Sequence, residues 1–380
     1  MEAYLDHAAT TPIHPAALQT QIEVSALVGN PSGSHRAARV AKDLLESSRE
    51  EIGRLLGAAA SEVIFTSGGT EADNLAVFGS ISEGKIAVAS AIEHHAVLDS
   101  VRASGGKLIN VTGTGIIDLE ALERFLKENG KEVGVVSVMT ANNETGVIQP
   151  MAEVRELVRK HSPSALLHTD AIQVPRYLDV ADVAEGFDLV SISGHKFGGP
   201  KGIGALVVRG SAQIKAIFHG GGQERELRSG TPNLPGAAAM AVALNHAHGE
   251  RAPSVKRVRD LTEKLRDGLS AKFSTIKPNG QEEPQLCNIT NYCFDGLNSE
   301  EILFLLDSRG VYASAGSSCA SGALNPSHVL IEMGRSKREA SGSLRLSLGT
   351  TTTEEEVDYA IEVIGDVVLG LADKKGVAWV

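Results

Sequence analysis

The chain has 380 residues, 42% of them hydrophobic and 22% charged, and its 47 acidic side chains against 36 Lys and Arg give a formal charge of -11. A chain of this length and apolar content can bury a substantial core and exceeds one ordinary domain, so two domains are expected. The acidic balance argues against nucleic acid or an anionic membrane as a general partner; no apolar run reaches the ~18 residues of a membrane span and the start lacks a basic-then-apolar leader, so a cytoplasmic protein is expected.

From about residue 60 to 235, short apolar runs alternate with helical patterns. Residues 62–67 read as a strand that enters Gly68-Gly69-Thr70-Glu71, a helix start. Such a turn offers free backbone N–H groups, a hydroxyl and the positive end of a helix dipole, which suit a phosphate; an ordinary connection with Thr70 as N-cap fits equally well. A nucleotide P-loop is excluded, because G-x-x-x-x-G-K-[ST] does not occur. Strand patterns at 85–89, 108–111 and 133–138, with helical patterns at 119–127 and 151–160, predict a mostly parallel sheet covered by helices.

An apolar strand at 165–170 ends on Asp170, and another at 187–193 runs into Gly194-His195-Lys196. Lys196 therefore falls at a strand's carboxyl end, where open α/β sheets place their ligands. A desolvated lysine there is nucleophilic enough to form a Schiff base with a cofactor aldehyde. A single Asp after a strand is ordinarily a helix cap, but the place of Asp170 between the phosphate turn and Lys196 makes it a candidate partner for a pyridine nitrogen. Downstream, 250–260 opens a long helical segment, followed by a helix at Ser299–Asp307, a strand at 343–348 and a closing helix at 353–369, whose start Thr352-Thr353-Glu354-Glu355-Glu356 places acids in the first turn.

Cysteine usage makes neither a disulfide framework nor a zinc site: there are three, Cys287, Cys293 and Cys319, without C-x-x-C spacing. Cys287 and Cys293 lie in a strand-like stretch, 284–294, where a small buried hydrophobe is the expected role. Cys319 sits in a run of small residues, 314–323, that reads as a mobile loop carrying an accessible nucleophilic thiol.

These segments together resemble a family. Tyr4-Leu5-Asp6-His7-Ala8-Ala9-Thr10-Thr11, Ser67-Gly68-Gly69-Thr70-Glu71, Glu93-His94-His95-Ala96-Val97, Asn142-Asn143-Glu144-Thr145-Gly146, His168-Thr169-Asp170-Ala171-Ile172-Gln173, Ser193-Gly194-His195-Lys196, Arg228-Ser229-Gly230-Thr231-Pro232 and Gly316-Ser317-Ser318-Cys319-Ala320-Ser321-Gly322 are similar, in order, to motifs of the cysteine desulfurases of the NifS/IscS type. The resemblance implies an α/β chain of pyridoxal-phosphate fold type I: a large domain (15–250) with a mostly parallel seven-stranded sheet covered by helices, and a smaller α+β domain (1–14 and 251–380) carrying the Cys319 loop. It implies pyridoxal 5'-phosphate as cofactor, with Lys196 as the Schiff-base lysine, Asp170 on the pyridine nitrogen, Gln173 on the phenolic oxygen and His94 stacked on the ring as acid/base. Gly69, Thr70, Ser193 and His195 would hold the phosphate, Thr231 would reach that of a neighbouring subunit in a homodimer, and Asn143 and Arg345 would orient the substrate. No metal ligand is implied.

The implied reaction takes sulfur from L-cysteine, gives L-alanine and leaves a persulfide on Cys319 for a sulfur-acceptor protein, such as an iron–sulfur scaffold or a carrier serving tRNA or cofactor thiolation. Selenocysteine lyase activity, or another class-V aminotransferase or lyase, stays open. The loop reads Ser318-Cys319-Ala320 where the family often has Ala-Cys-Thr, its spacing to Arg345 is that of the longer-loop branch, and the tail 374–380 does not match a scaffold-docking tail.

Overall fold

The computed structural model describes residues 1–210, 212–273, 275–316 and 326–377. The chain opens with β1 (Ala3–Tyr4), then two helices that the motif-centred reading did not anticipate, α1 (Pro15–Ser25) and α2 (Arg36–Leu55). One side of α2, including Ala41, Leu45 and Ile52, is buried and the other carries charge, which is why it lies on the protein as an amphipathic helix. Strands and helices then alternate: β2 (Val63–Thr66), α3 (Gly69–Ser80), β3 (Ile86–Ser90), α4 (His95–Ala103), β4 (Lys107–Ile109), α5 (Leu119–Asn129), β5 (Val133–Ser137), α6 (Met151–His161), β6 (Leu166–Asp170), α7 (Val180–Val183), β7 (Leu189–Ser193) and β8 (Gly204–Val208).

These strands form a seven-stranded sheet in the order β2-β8-β7-β6-β5-β3-β4. Neighbours from β7 to β4 are parallel, and β8 alone runs antiparallel to both its partners. The near-continuous burial of β2, β5, β7 and β8 is what a sheet covered on both faces requires. The strand expected at 108–111 is shorter and shifted, because Val111 leaves the sheet to bridge Ile117.

After the sheet, α8 (Leu234–Gly249) turns at Glu250 into α9 (Arg251–Lys272). Then come β9 (Ile289–Cys293), α10 (Ser299–Asp307), β10 (Val311–Tyr312), α11 (His328–Glu332), α12 (Lys337–Ala340), β11 (Ser343–Ser347) and α13 (Glu354–Lys375). Strands β9 and β11 pair antiparallel, while β10 pairs in parallel with β1, so the N-terminus packs among C-terminal elements. A second apolar core joins Ala3 and Leu5 to Leu265, Tyr292, Leu344 and Ile364. The acidic helix start expected near 353 is present: the Thr353 hydroxyl accepts from Glu356 N and the Glu356 carboxylate accepts from Thr353 N.

Of the two cysteines expected in a strand-like stretch, Cys293 lies in strand β9 and Cys287 does not. Strand β9 begins at Ile289, so Cys287 lies in the preceding turn, and both thiols are half-buried. Burial raises both, Cys287 to about 11, so neither offers a thiolate at neutral pH.

Candidate active site

The carboxyl ends of β2, β3, β5, β6 and β7 share one edge of the sheet, and the segments leaving them line a cavity of about 160 Å³. After β2, Gly68 adopts φ +155°, a backbone conformation that suits glycine, and α3 begins at Gly69 without a side-chain cap. Thr70 therefore does not spend its hydroxyl as the N-cap, and Gly69 and Thr70, which open α3 where unpaired first-turn N–H groups are expected, line the cavity. The turn is held closely from β8: a Cβ on Gly204 would sit 2.8 Å from the Gly68 Cα.

After β3, Glu93 is fully buried and its Oε1 accepts from Met139 N at 2.8 Å. His94 caps α4, its Nδ1 accepting from Ala96 N at 3.1 Å, which leaves the ring proton on Nε2. Burial, and then the nearby Lys196 charge, hold His94 at about 4, so the imidazole is neutral at physiological pH. Beyond β5, Asn142 accepts from Glu144 N and Thr145 N and donates to Ile92 O, fixing the turn that presents Asn143.

Asp170 ends β6, almost fully buried, with Oδ1 accepting from Ile172 N at 2.9 Å. Burial raises it to about 6, against the opposing pull of Lys196. Behind it, His168 bonds Ser137 Oγ at 2.8 Å and Ser191 Oγ at 3.0 Å, and burial lowers it to about 3. Asp73 on α3 lies 3.7 Å from His168. Burial drives Asp73 and Glu93 well above the carboxylate range, and the Asp170 charge pushes both the same way, which favours the protonated form of each.

Strand β7 ends at the buried Ser193, and the tight turn Gly194–Lys196 points the lysine back over the sheet edge. Lys196 Nζ donates to Ala8 O at 2.7 Å and to Ala9 O at 2.8 Å, and Gln173 Nε2 also donates to Ala8 O. His195 Nδ1 pairs with Thr10 Oγ1 at 3.2 Å, and burial lowers its pKa to about 4. The N-terminal segment is thus the roof beside the lysine. From β11, Arg345 reaches the same cavity, its Nη2 on Asp6 Oδ1 at 2.7 Å and its Nη1 on Asn143 O at 3.0 Å.

Of the residues read from the sequence, Gly69, Thr70, His94, Asn143, Asp170, Gln173, Ser193, His195, Lys196 and Arg345 all line this cavity. Thr231 is exposed and is not among the lining residues. Cys319 lies outside the described residues. Sequence reasoning missed Ala8, Ala9, Met139 and Ile172, which also line the cavity, and missed the Asp6–Arg345 pair. Asp6 could have been found from the run of residues 4–11, whose polar members have no packing reason to cluster; the Ala8 and Ala9 carbonyls carry no sequence signal. Elsewhere among the described residues, His14, His246 and Glu250 bring ligand atoms within 4.8 Å of one another. The two rings stack at 4.1 Å and His14 Nδ1 accepts from Ala16 N, so their lone pairs do not converge on one point.

The profile of the aminotransferase class-V family matches residues 3–360. Over 376 residues the chain is 42% identical to an IscS-like cysteine desulfurase of Mycobacterium tuberculosis, with 95% of each chain covered. The chain belongs to the class-V aminotransferase family, in its cysteine desulfurase branch. This class-V member is also 36% identical to the cysteine desulfurase IscS of Methanosarcina thermophila, covering 96% of its own length and 91% of the relative's. Among solved structures, a NifS-like protein superposes with a TM-score of 0.89 at 34% identity, covering 98% of this chain and 100% of the other. A NifS-like protein from Rickettsia africae gives 0.88 at 31% identity, covering 97% and 99%. The shared fold is a class-V desulfurase's, with the mostly parallel seven-stranded sheet described above.

Proposed function

We propose that this cysteine desulfurase works with pyridoxal 5'-phosphate, takes L-cysteine as substrate and passes the sulfur through Cys319. The observation that carries the reading is the convergence of the Lys196 amine, the buried Asp170 carboxylate and the Arg345 guanidinium on one cavity. The donor set fits the cofactor. Among the described residues Asp170 accepts a hydrogen bond from the Ile172 N–H alone, and burial raises it, so a cationic ring N–H would satisfy it. The α3 N-terminus with Thr70, together with Ser193 and His195, suits a phosphate, and Gln173 can donate to a phenolic oxygen. When bound, the cofactor supplies an electron sink for the substrate's α-carbon.

The chain's own residues then divide the work. Arg345 and Asn143 orient the substrate carboxylate, and Lys196, within reach of the cavity, moves the proton at Cα. His94, neutral with its proton on Nε2, handles the proton of the substrate thiol. The Cys319 thiolate attacks the substrate sulfur; an S–S bond forms as the C–S bond breaks, its electron pair stays with the carbon skeleton, and protonation releases L-alanine. The relative SspA has been solved with cysteine, at 30% identity and a TM-score of 0.79 over 92% of this chain, which supports the choice of substrate.

The same reading makes the protein a cytoplasmic homodimer in which Thr231 serves the neighbouring site, divided at about residues 14 and 250 into the two domains expected above, with a sulfur-acceptor protein as its partner. Among the described residues no helix is long and apolar enough to cross a membrane. Incubation of the cofactor-loaded protein with L-cysteine should yield L-alanine and one added sulfur atom on Cys319 by mass spectrometry. Undiminished alanine formation by Cys319→Ala would refute the nucleophile.

A further inference from the structure

We infer that Asp6 is a positioning residue for substrate capture: its carboxylate fixes the plane of the Arg345 guanidinium, so that the remaining edge of that group faces the cavity for an α-carboxylate. The inference rests on the reading of Arg345 as the residue that binds the substrate's carboxylate.

Arg345 is 1% exposed in the middle of β11. Its Nη2 is taken by Asp6 and its Nη1 by Asn143 O, while Nε has no partner among the described residues, although the side chain lines the cavity. A guanidinium this deep needs a counter-charge, and Asp6 supplies the carboxylate of the pair at 2.7 Å. An arginine also has many rotamers; a fixed partner on one side pre-organises the fork on the other.

Asp6 is suited to that task because its backbone is clamped to the strand that carries Arg345. Asp6 bridges Ser347, His7 N donates to Ser347 O at 3.2 Å, and Ala8 N donates to Ser347 Oγ at 2.9 Å. The segment closes on itself through Ala9 N to Asp6 O at 3.0 Å and Tyr4 OH to Thr10 O at 2.9 Å. Two residues later the same segment presents the Ala8 and Ala9 carbonyls to Lys196. One short piece of chain therefore sets the carboxylate-binding group and the amine relative to each other, which is the spacing an α-amino acid must match.

The test compares L-alanine with ethylamine, which differ only in the carboxylate, by their dissociation constants read from the absorbance of the bound cofactor. Asp6→Ala should weaken L-alanine about tenfold or more, leave ethylamine within about twofold, and be rescued to within about threefold by Asp6→Asn, whose amide oxygen still accepts from Nη2. Equal weakening of both ligands in Asp6→Ala would mean general structural damage and overturn the inference, as would unchanged L-alanine binding. Arg345→Gln is measured alongside. If it abolishes the carboxylate preference and Asp6→Ala does not, the role of Asp6 alone falls; if it keeps the preference, the assignment of Arg345 falls and takes that of Asp6 with it.

Discussion

The two ends of the cavity are built differently. The end around Lys196 and Asp170 is made by neighbouring strands of one sheet: β6 and β7 pair at Asp170 and Ser191, and His168 locks Ser137 on β5 to Ser191 on β7. The end around Arg345 is made by three segments far apart in sequence, through Asp6, Asn143 and β11. Proton chemistry needs a fixed, dry geometry, and the sheet supplies it at the first end. Substrate recognition at the second end depends on a few charge-assisted bonds between separate pieces of chain. Loss at the first end should therefore strike turnover or folding energetics, and loss at the second should strike KM.

The contrast is broken most directly at Lys196. Lys196→Ala should lower kcat for L-cysteine by about a thousandfold or more, because the group that moves the Cα proton is gone, with folding retained by circular dichroism. Asp170→Asn tests the cost of the buried charge in the cofactor-free protein. The folded-state pKa is raised from 3.8 to about 6, so the stability tied to the protonated form is present below pH 3.8 and lost as pH rises through about 6. The amide removes that loss: Asp170→Asn should match the parent near pH 4 and exceed it by about 3 kcal/mol at most above pH 7, as read from denaturation at both pH values. A variant equally stable or less stable at high pH would contradict the assignment of the charge to Asp170.

At the other end, Arg345→Lys keeps the charge but loses the planar fork. KM for L-cysteine should rise about thirtyfold with kcat changed far less, and a fall in kcat without a change in KM would erase the distinction between the two ends. The smallest effect is expected at Glu93. A protonated Glu93 is matched by glutamine, whose Oε1 can still accept from Met139 N, so Glu93→Gln should shift unfolding by less than about 1 kcal/mol. A larger loss would show that Glu93 carries charge.

The sheet end was the more legible in sequence, for a physical reason. A buried strand is usually a short apolar run, and a polar residue at its end or just beyond it stands out, as Asp170 does at the end of β6 and Lys196 in the turn after β7. The turn at Gly68-Gly69-Thr70 was visible for its glycines, although whether Thr70 served as a cap needed coordinates. The antiparallel β8 was not anticipated, since an apolar run does not state its direction. Nor was the contact between Asp6 and Arg345, because residues 339 apart meet only through the pairing of β1 with β10 and the Asp6–Ser347 bridge. The carbonyls of Ala8 and Ala9, which receive Lys196 Nζ, belong to side chains with no chemistry to notice.

The central claim is that Lys196 is the amine around which this cavity is organised, and borohydride treatment of the pyridoxal-phosphate-loaded protein followed by peptide mapping tests it most directly. The cofactor should be fixed to Lys196 and be absent from that peptide in Lys196→Ala; stoichiometric attachment to any other lysine, with Lys196 unmodified, would contradict the account.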